Sequence, residues 1–152
     1  MKMNKRGITL MELVVVFAII AIGATLMIPN MGAWLPNYRL RSATRDLVST
    51  MRVAQMRAVS NNMEYQVNIT GGSYTLWRNS SGLLAQEGQA KTLPTGITIN
   101  NNTFPSMGTT PAGSALFRPN SSSNGGRIDL INTKMTQRTI TVLPSTGRIS
   151  IQ

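Results

Sequence analysis

Apolar and polar positions alternate in three different ways along the chain. From Ile8 to Ile28 the residues are apolar apart from Thr9, Glu12 and Thr25. As a helix, at about 1.5 Å per residue, this run is about 31 Å long, one bilayer core. From Leu40 onward Leu40, Ala43, Leu47, Met51, Ala54 and Ala58 recur at threes and fours, which predicts an amphipathic helix with one face to bury. Gly32 to Pro36 predicts a break between these helical stretches, and Asn61 with Asn62 a stop. If the helix were nearly continuous from Ile8 to Asn61 it would run about 80 Å, half of it anchoring and half packing.

Past Asn61 the period becomes two. Tyr65, Val67 and Ile69 alternate with polar residues, Gly71-Gly72 offers a turn, and Tyr74 and Leu76 resume the alternation, so a hairpin is expected. Short strands follow at 97–99, 116–117, 128–131, 139–143 and 148–151, with Gly, Pro and Asn between them. The helical stripe needs a sheet to cover it. The expected fold class is therefore α+β: a long N-terminal helix, membrane-spanning in its first half and amphipathic in its second, packed on small antiparallel β-sheets. Trp77 is expected in that core. Pro119 to Gly126, with three consecutive serines before Asn-Gly-Gly, reads as a flexible loop. No internal repeat emerges.

Composition narrows the chemistry. The 152 residues contain no His and no Cys, which excludes zinc fingers, disulfide frameworks, a Cys nucleophile and an imidazole base. Asp46, Glu64, Glu87 and Asp129 are scattered with no spacing that implies convergence, and Gly71-Gly72 lacks a following helix or a phosphate-loop lysine. No enzyme, metal or cofactor is expected. A net charge of +10 favours acidic partners: nucleic acid, anionic lipid or carboxylate-bearing proteins.

The N-terminus has a basic start, Lys2, Lys5 and Arg6, before its apolar run. A cleaved secretory signal has that general form, but its apolar region is usually about 7–15 residues, and the nearest small-residue site, Ala21-Ile22-Gly23, lies inside the run. Glu12 is the unusual feature. A carboxylate in hydrocarbon costs about 2.5 kcal/mol or more, so it sits either in headgroup water or beside a cation. A cut after Gly7 would create such a cation, the α-amine of Ile8, one helical turn from Glu12, and a neighbouring copy can present the same group.

The segment Lys5-Arg6-Gly7-Ile8-Thr9-Leu10-Met11-Glu12-Leu13 with its apolar run resembles the class III leader of type IV pilins and type II secretion pseudopilins. The resemblance implies that a prepilin peptidase cuts between Gly7 and Ile8, that Ile8 is N-methylated, and that Glu12 directs assembly with other pilin or pseudopilin subunits. Pro29 falls where such subunits often carry a proline that loosens the helix. The divisions implied are 1–7, a cleaved leader; 8–28, a transmembrane and assembly helix; 29–61, its continuation; and 62–152, a globular antiparallel β domain. Basic residues flank the apolar run on both sides, so placement outside the bacterial inner membrane, in the periplasm or on an extracellular filament, rests on the resemblance.

Phe117-Arg118-Pro119, Gly126 to Leu130, Arg138 to Val142 and Thr146-Gly147-Arg148-Ile149 resemble, more loosely, the H-type minor pseudopilins and FimT-type minor pilins. That similarity implies a minor subunit, and a globular domain of two antiparallel sheets on the helix. Arg118, Arg127, Arg138 and Arg148 are candidates for contact with DNA or an acidic partner if the sheets bring them together. Some FimT-type pilins capture DNA through Gly-Arg-x-Arg; here Gly147-Arg148-Ile149-Ser150 has Ser150 for the second Arg. Arg41, Arg45 and Arg52 lie near one another away from the apolar stripe, as a solvated face or as a contact with acidic residues of neighbouring subunits.

Overall fold

A computed structural model describes residues 9–27 and 31–152; the expected cleavage site at Gly7 and Ile8, and Pro29, lie outside them. The chain divides into two compact units at Leu35–Pro36. In the first, helix α1 runs Leu10–Met27. Thr9 caps it: its hydroxyl accepts the Glu12 N–H at 3.3 Å and its carbonyl the Leu13 N–H at 3.2 Å, which satisfies donors that the first turn leaves open. The described side chains of α1 are exposed and, Glu12 apart, apolar on every side. A helix with no polar face finds its cover outside itself, in lipid or among other helices. Among the described residues no helix is long and apolar enough to cross a membrane. The expected span 8–28 has both its ends outside them.

Helix α2 runs Met31–Asn61 with Pro36 inside it, so the expected break at Gly32 to Pro36 does not interrupt the helix. The proline removes one hydrogen bond, toward the carbonyl of Gly32, near one end of a helix whose later turns are held by the core. Leu40, Ala43, Leu47, Met51, Ala54 and Ala58 are all buried, as the threes and fours require. The helix stops as expected. Asn62 adopts φ 52°, and the Met63 N–H returns to the Ala58 carbonyl at 3.3 Å, the six-to-one bond of a left-handed C-terminal cap.

The strands are β1 (Glu64–Thr70), β2 (Ser73–Ser80), β3 (Leu83–Thr92), β4 (Ile97–Asn102), β5 (Ala115–Phe117), β6 (Gly126–Asn132), β7 (Gln137–Val142) and β8 (Ile149–Ile151). They form two antiparallel sheets, ordered β3-β2-β1-β5 and β4-β6-β7-β8. The β1–β2 turn is Gly71-Gly72, both at positive φ, closing on the Thr70–Ser73 pair. Tyr65, Val67, Ile69, Tyr74, Leu76, Ala115 and Phe117 from one sheet and Ile128, Leu130, Ile140 and Val142 from the other join the α2 stripe in one core.

Two sequence expectations need correction. Trp77 is half-buried and outside the core cluster, because it is one residue out of phase with Leu76 and so belongs to the opposite face of β2, opposite Gln66 and Gln86. The segment from Pro119 to Gly126 is not an open loop either. Ser123 and Asn124 are buried, and the Ser123 N–H bonds the Pro144 carbonyl at 2.8 Å. Asn124 uses its whole amide: Oδ1 accepts the Leu116 N–H at 2.9 Å, while Nδ2 donates to the carbonyls of Ser114 at 2.8 Å and Pro105 at 2.9 Å. Gly126 sits at φ 151°, where a Cβ would meet Phe104 Cα at 2.9 Å, so only glycine admits this approach.

Candidate functional site

Glu12 stands in the first turn of α1, exposed, with apolar neighbours Met11, Leu13 and Val16 also exposed. Its backbone N–H is taken by Thr9, but its carboxylate has no cation among the described residues. Glu12 is thus the one acid on a helix whose other described side chains are apolar.

The pairing distributes the four candidate arginines over two sheets. Arg118 follows β5 in the first sheet, where its Nε lies 3.5 Å from Glu64. Arg138 is opposite Leu130, at the rim of the face that the second sheet turns to the core, and is half-buried. Arg127 is opposite Thr141, which is opposite Ser150, and Arg148 lies two residues before Ser150. Arg127 and Arg148 therefore share the outer face of that sheet, two strands or about 10 Å apart. Arg127 is drawn back toward Asp129 at 3.8 Å, and Asp129 also accepts the Thr139 hydroxyl at 2.7 Å. Strand parity separates Arg138 from Arg127 and Arg148, whereas Arg118 reaches the Arg148 turn through Ser121, whose N–H bonds the Arg118 carbonyl at 3.0 Å. Gly147, at φ 59°, is fixed for packing: a Cβ there would lie 2.5 Å from the Ser121 carbonyl oxygen and 2.9 Å from Gln55 Nε2.

The acids that looked scattered in sequence tie α2 to the first sheet. Asp46 accepts Lys91 Nζ at 2.8 Å and the buried Tyr74 hydroxyl. Glu87 takes Arg57 and the Tyr65 hydroxyl, the latter at 3.1 Å, with Arg78 at 3.8 Å. Sequence reading missed both clusters, since their hydrogen-bonded members stand 22 to 45 residues apart, and Arg78 and Glu87 meet only by pairing of neighbouring strands. Between them, Ser49, Thr50 and Val53 face Glu87 to Lys91 across a cleft of about 220 Å³. No group of three acids gathers as a metal site among the described residues.

These contacts set a pH dependence. The Lys91 hydrogen bond, with that of Tyr74, holds the Asp46 carboxyl below its ordinary value. Burial, reinforced by the Asp46 bond and charge, pushes the Tyr74 hydroxyl far above its own. The depressed acid contributes stability above its unfolded pKa near 3.8, lost as pH falls through the folded value. The raised phenol contributes stability below its unfolded pKa near 10, lost as pH rises beyond it. Thermal stability is therefore expected to be flat between these limits and to fall on both sides. Melts of Tyr74→Phe should show a shallower alkaline fall than the parent, and an unchanged alkaline limb would contradict the assignment.

Comparison with known proteins agrees with this architecture. The family model described as type II transport protein GspH matches residues 43–146, well over half of the chain. The prokaryotic N-terminal methylation motif matches residues 2–28. No curated protein matches the sequence. Among solved structures, the fold resembles the minor pseudopilin EpsH from the type 2 secretion system of Vibrio cholerae, with a TM-score of 0.60 at 9% identity over 75% of this chain and 96% of that one. It also resembles the type IV minor pilin FimU of Pseudomonas aeruginosa strain PAO1, with a TM-score of 0.57 at 14% identity over 76% of this chain and 90% of that one in one crystal form. A second crystal form of FimU gives 0.55 at 16% identity, over 74% and 92%. At such identities the structures speak for the fold, and the family rests on the sequence model. The chain belongs to the type II transport protein GspH family and is a prepilin-like structural subunit of a type II secretion pseudopilus or type IV pilus.

Proposed function

We propose that the chain is a minor subunit made as a precursor, cut by a prepilin peptidase between Gly7 and Ile8 and N-methylated at Ile8. Residues 8–28 then anchor it in the bacterial inner membrane and later pack among the helices of other subunits. Residues 29–61 continue the helix past Pro29, and residues 62–152 stand in the periplasm or on the filament. On this reading it is structural machinery and not an enzyme.

The observation that carries the proposal is Glu12, an exposed carboxylate on an apolar helix with no cation beside it among the described residues. A charge moved into an apolar layer needs a partner to offset its lost hydration, and the amine that processing creates has the right sign and reach. DNA capture has less support: the arginines are spread over two sheets, and Arg118 and Arg127 each lean on an acid. The intact mass of membrane-extracted protein is the direct check. From cells with a prepilin peptidase it should correspond to residues 8–152 plus one methyl group; retention of Met1 to Gly7 would reject the proposal.

A further inference from the structure

Of the five acids in the chain, the four beyond Glu12 are each neutralised from within: Asp46 by Lys91, Glu64 by Arg118, Glu87 by Arg57 and Arg78, Asp129 by Arg127. Arg41, Arg45 and Arg52 make no ion pair within 4 Å among the described residues; Asp46, which borders the same groove as Tyr38, Arg41 and Arg45, is held by Lys91 instead. At about 100° per residue these three fall on one stripe of α2 together with Tyr38, Met56 and Val59, within an arc of about 60°. Arg41 to Arg52 extends about 16 Å along the axis. All six are exposed; Tyr38 is 54%, Met56 63% and Val59 48% accessible. The stripe has a basic centre with an aromatic at one end and apolar side chains at the other. Arginine, aromatic residues and methionine are the types enriched where protein surfaces meet.

We propose that this stripe docks an acidic face of a second pilin-like subunit whose sequence differs from this one. A second copy of this chain is a poor occupant. Outside α1 every acid is already engaged, so two copies brought together here would oppose arginine to arginine. The uncompensated charge thus selects a partner of opposite sign and disfavours self-polymerisation through α2. Burial beside Tyr38, Met56 and Val59 strengthens the ion pairs by excluding water and makes the contact more than a screened surface attraction.

The inference rests on the assembly reading above, so the test separates the two. The full chain is produced in cells with its own machine, carrying a photo-crosslinking amino acid in place of Met56, which is exposed on the same stripe one turn beyond Arg52. Assemblies are sheared from the envelope and adducts identified by mass spectrometry. A wild-type chain absent from the sheared fraction would defeat the assembly reading itself. A chain that enters this fraction should give an adduct with a different pilin-like subunit, through a peptide bearing Asp or Glu. Adducts with lipid alone, with this same chain alone, or with nothing would overturn the inference. Arg41→Glu/Arg45→Glu/Arg52→Glu should reduce the heterologous adduct at least tenfold at unchanged membrane level. The corresponding triple Lys variant, which keeps the charge, should retain most of it; equal adduct from the Glu and Lys variants would also overturn the inference.

Discussion

Asn124→Ala is expected to destabilise the folded unit by about 3–5 kcal/mol, lowering its melting temperature by about 10–20 °C. The side chain makes three hydrogen bonds, to Leu116, Ser114 and Pro105, and is itself only 7% exposed. Alanine leaves one N–H and two carbonyls without it, and an orphaned buried polar group costs about 1–3 kcal/mol. The sum is held below three full penalties because the site relaxes and water reaches the more open Pro105 carbonyl. Asn124→Asp should be at least as harmful, since a carboxylate would then face two carbonyl oxygens. Asn120, in the same loop but exposed, accepts only from Ser122, and Asn120→Ala should shift stability by less than about 1 kcal/mol. Thermal melts of the full chain in neutral detergent would check both, and equal effects at the two positions would refute the role assigned to Asn124.

Asn124 also marks where sequence reading runs out. The helix was legible because its six core residues repeat at the helical period, and each of them is buried. The β1–β2 hairpin was legible for the same kind of reason, since Tyr65, Val67 and Ile69 alternate and a Gly-Gly pair closes the turn. β3 gave no such signal. It is an edge strand with little buried face, so nothing in Leu83 to Thr92 had to alternate, and it is recognised only by its pairing with β2. Trp77 was misplaced for want of phase: its type suits a core, but its parity with Leu76 does not.

The Ser- and Gly-rich segment before β6 was misread because composition does not distinguish a polar loop in water from one whose polar groups bond to backbone. Pairing information is non-local in the same way. Asp46 and Lys91, or Arg118 and Glu64, meet only once two sheets and a helix have been assembled. Which of the four arginines come near one another is set by the same assembly, which brings Arg118 and the Gly147-Arg148 turn to Ser121. By contrast the leader is a local signal, carried by consecutive residues, and the N-terminal methylation match to residues 2–28 coincides with it. Glu12 stands out by the same local signal, as the one acid of the apolar run. Not legible was that Arg41, Arg45 and Arg52 make no ion pair among the described residues, which depends on where every other acid goes.

Glu12→Gln should leave membrane insertion and processing intact and lower incorporation into sheared filaments by about ten- to sixty-fold. The Thr9 cap engages the backbone N–H of residue 12, so the substitution spares the start of α1. Under the proposed processing, what it removes is the partner of the Ile8 amine. If the amine stays charged in the apolar layer, the penalty is about 2.5 kcal/mol, or about sixty-fold. If it sheds its proton instead, an α-amine with a pKa near 8 does so at neutral pH for about 1.4 kcal/mol, or about tenfold. The cheaper route sets the lower bound, and it has a signature of its own. Raising the medium to about pH 9 should narrow the gap between variant and parent, because the amine is then already neutral. Quantifying the subunit in sheared and membrane fractions at both pH values tests each part. Wild-type incorporation by Glu12→Gln at neutral pH would remove the charge pair from the account of assembly, and a defect unaltered at alkaline pH would show that Glu12 acts through something other than that amine.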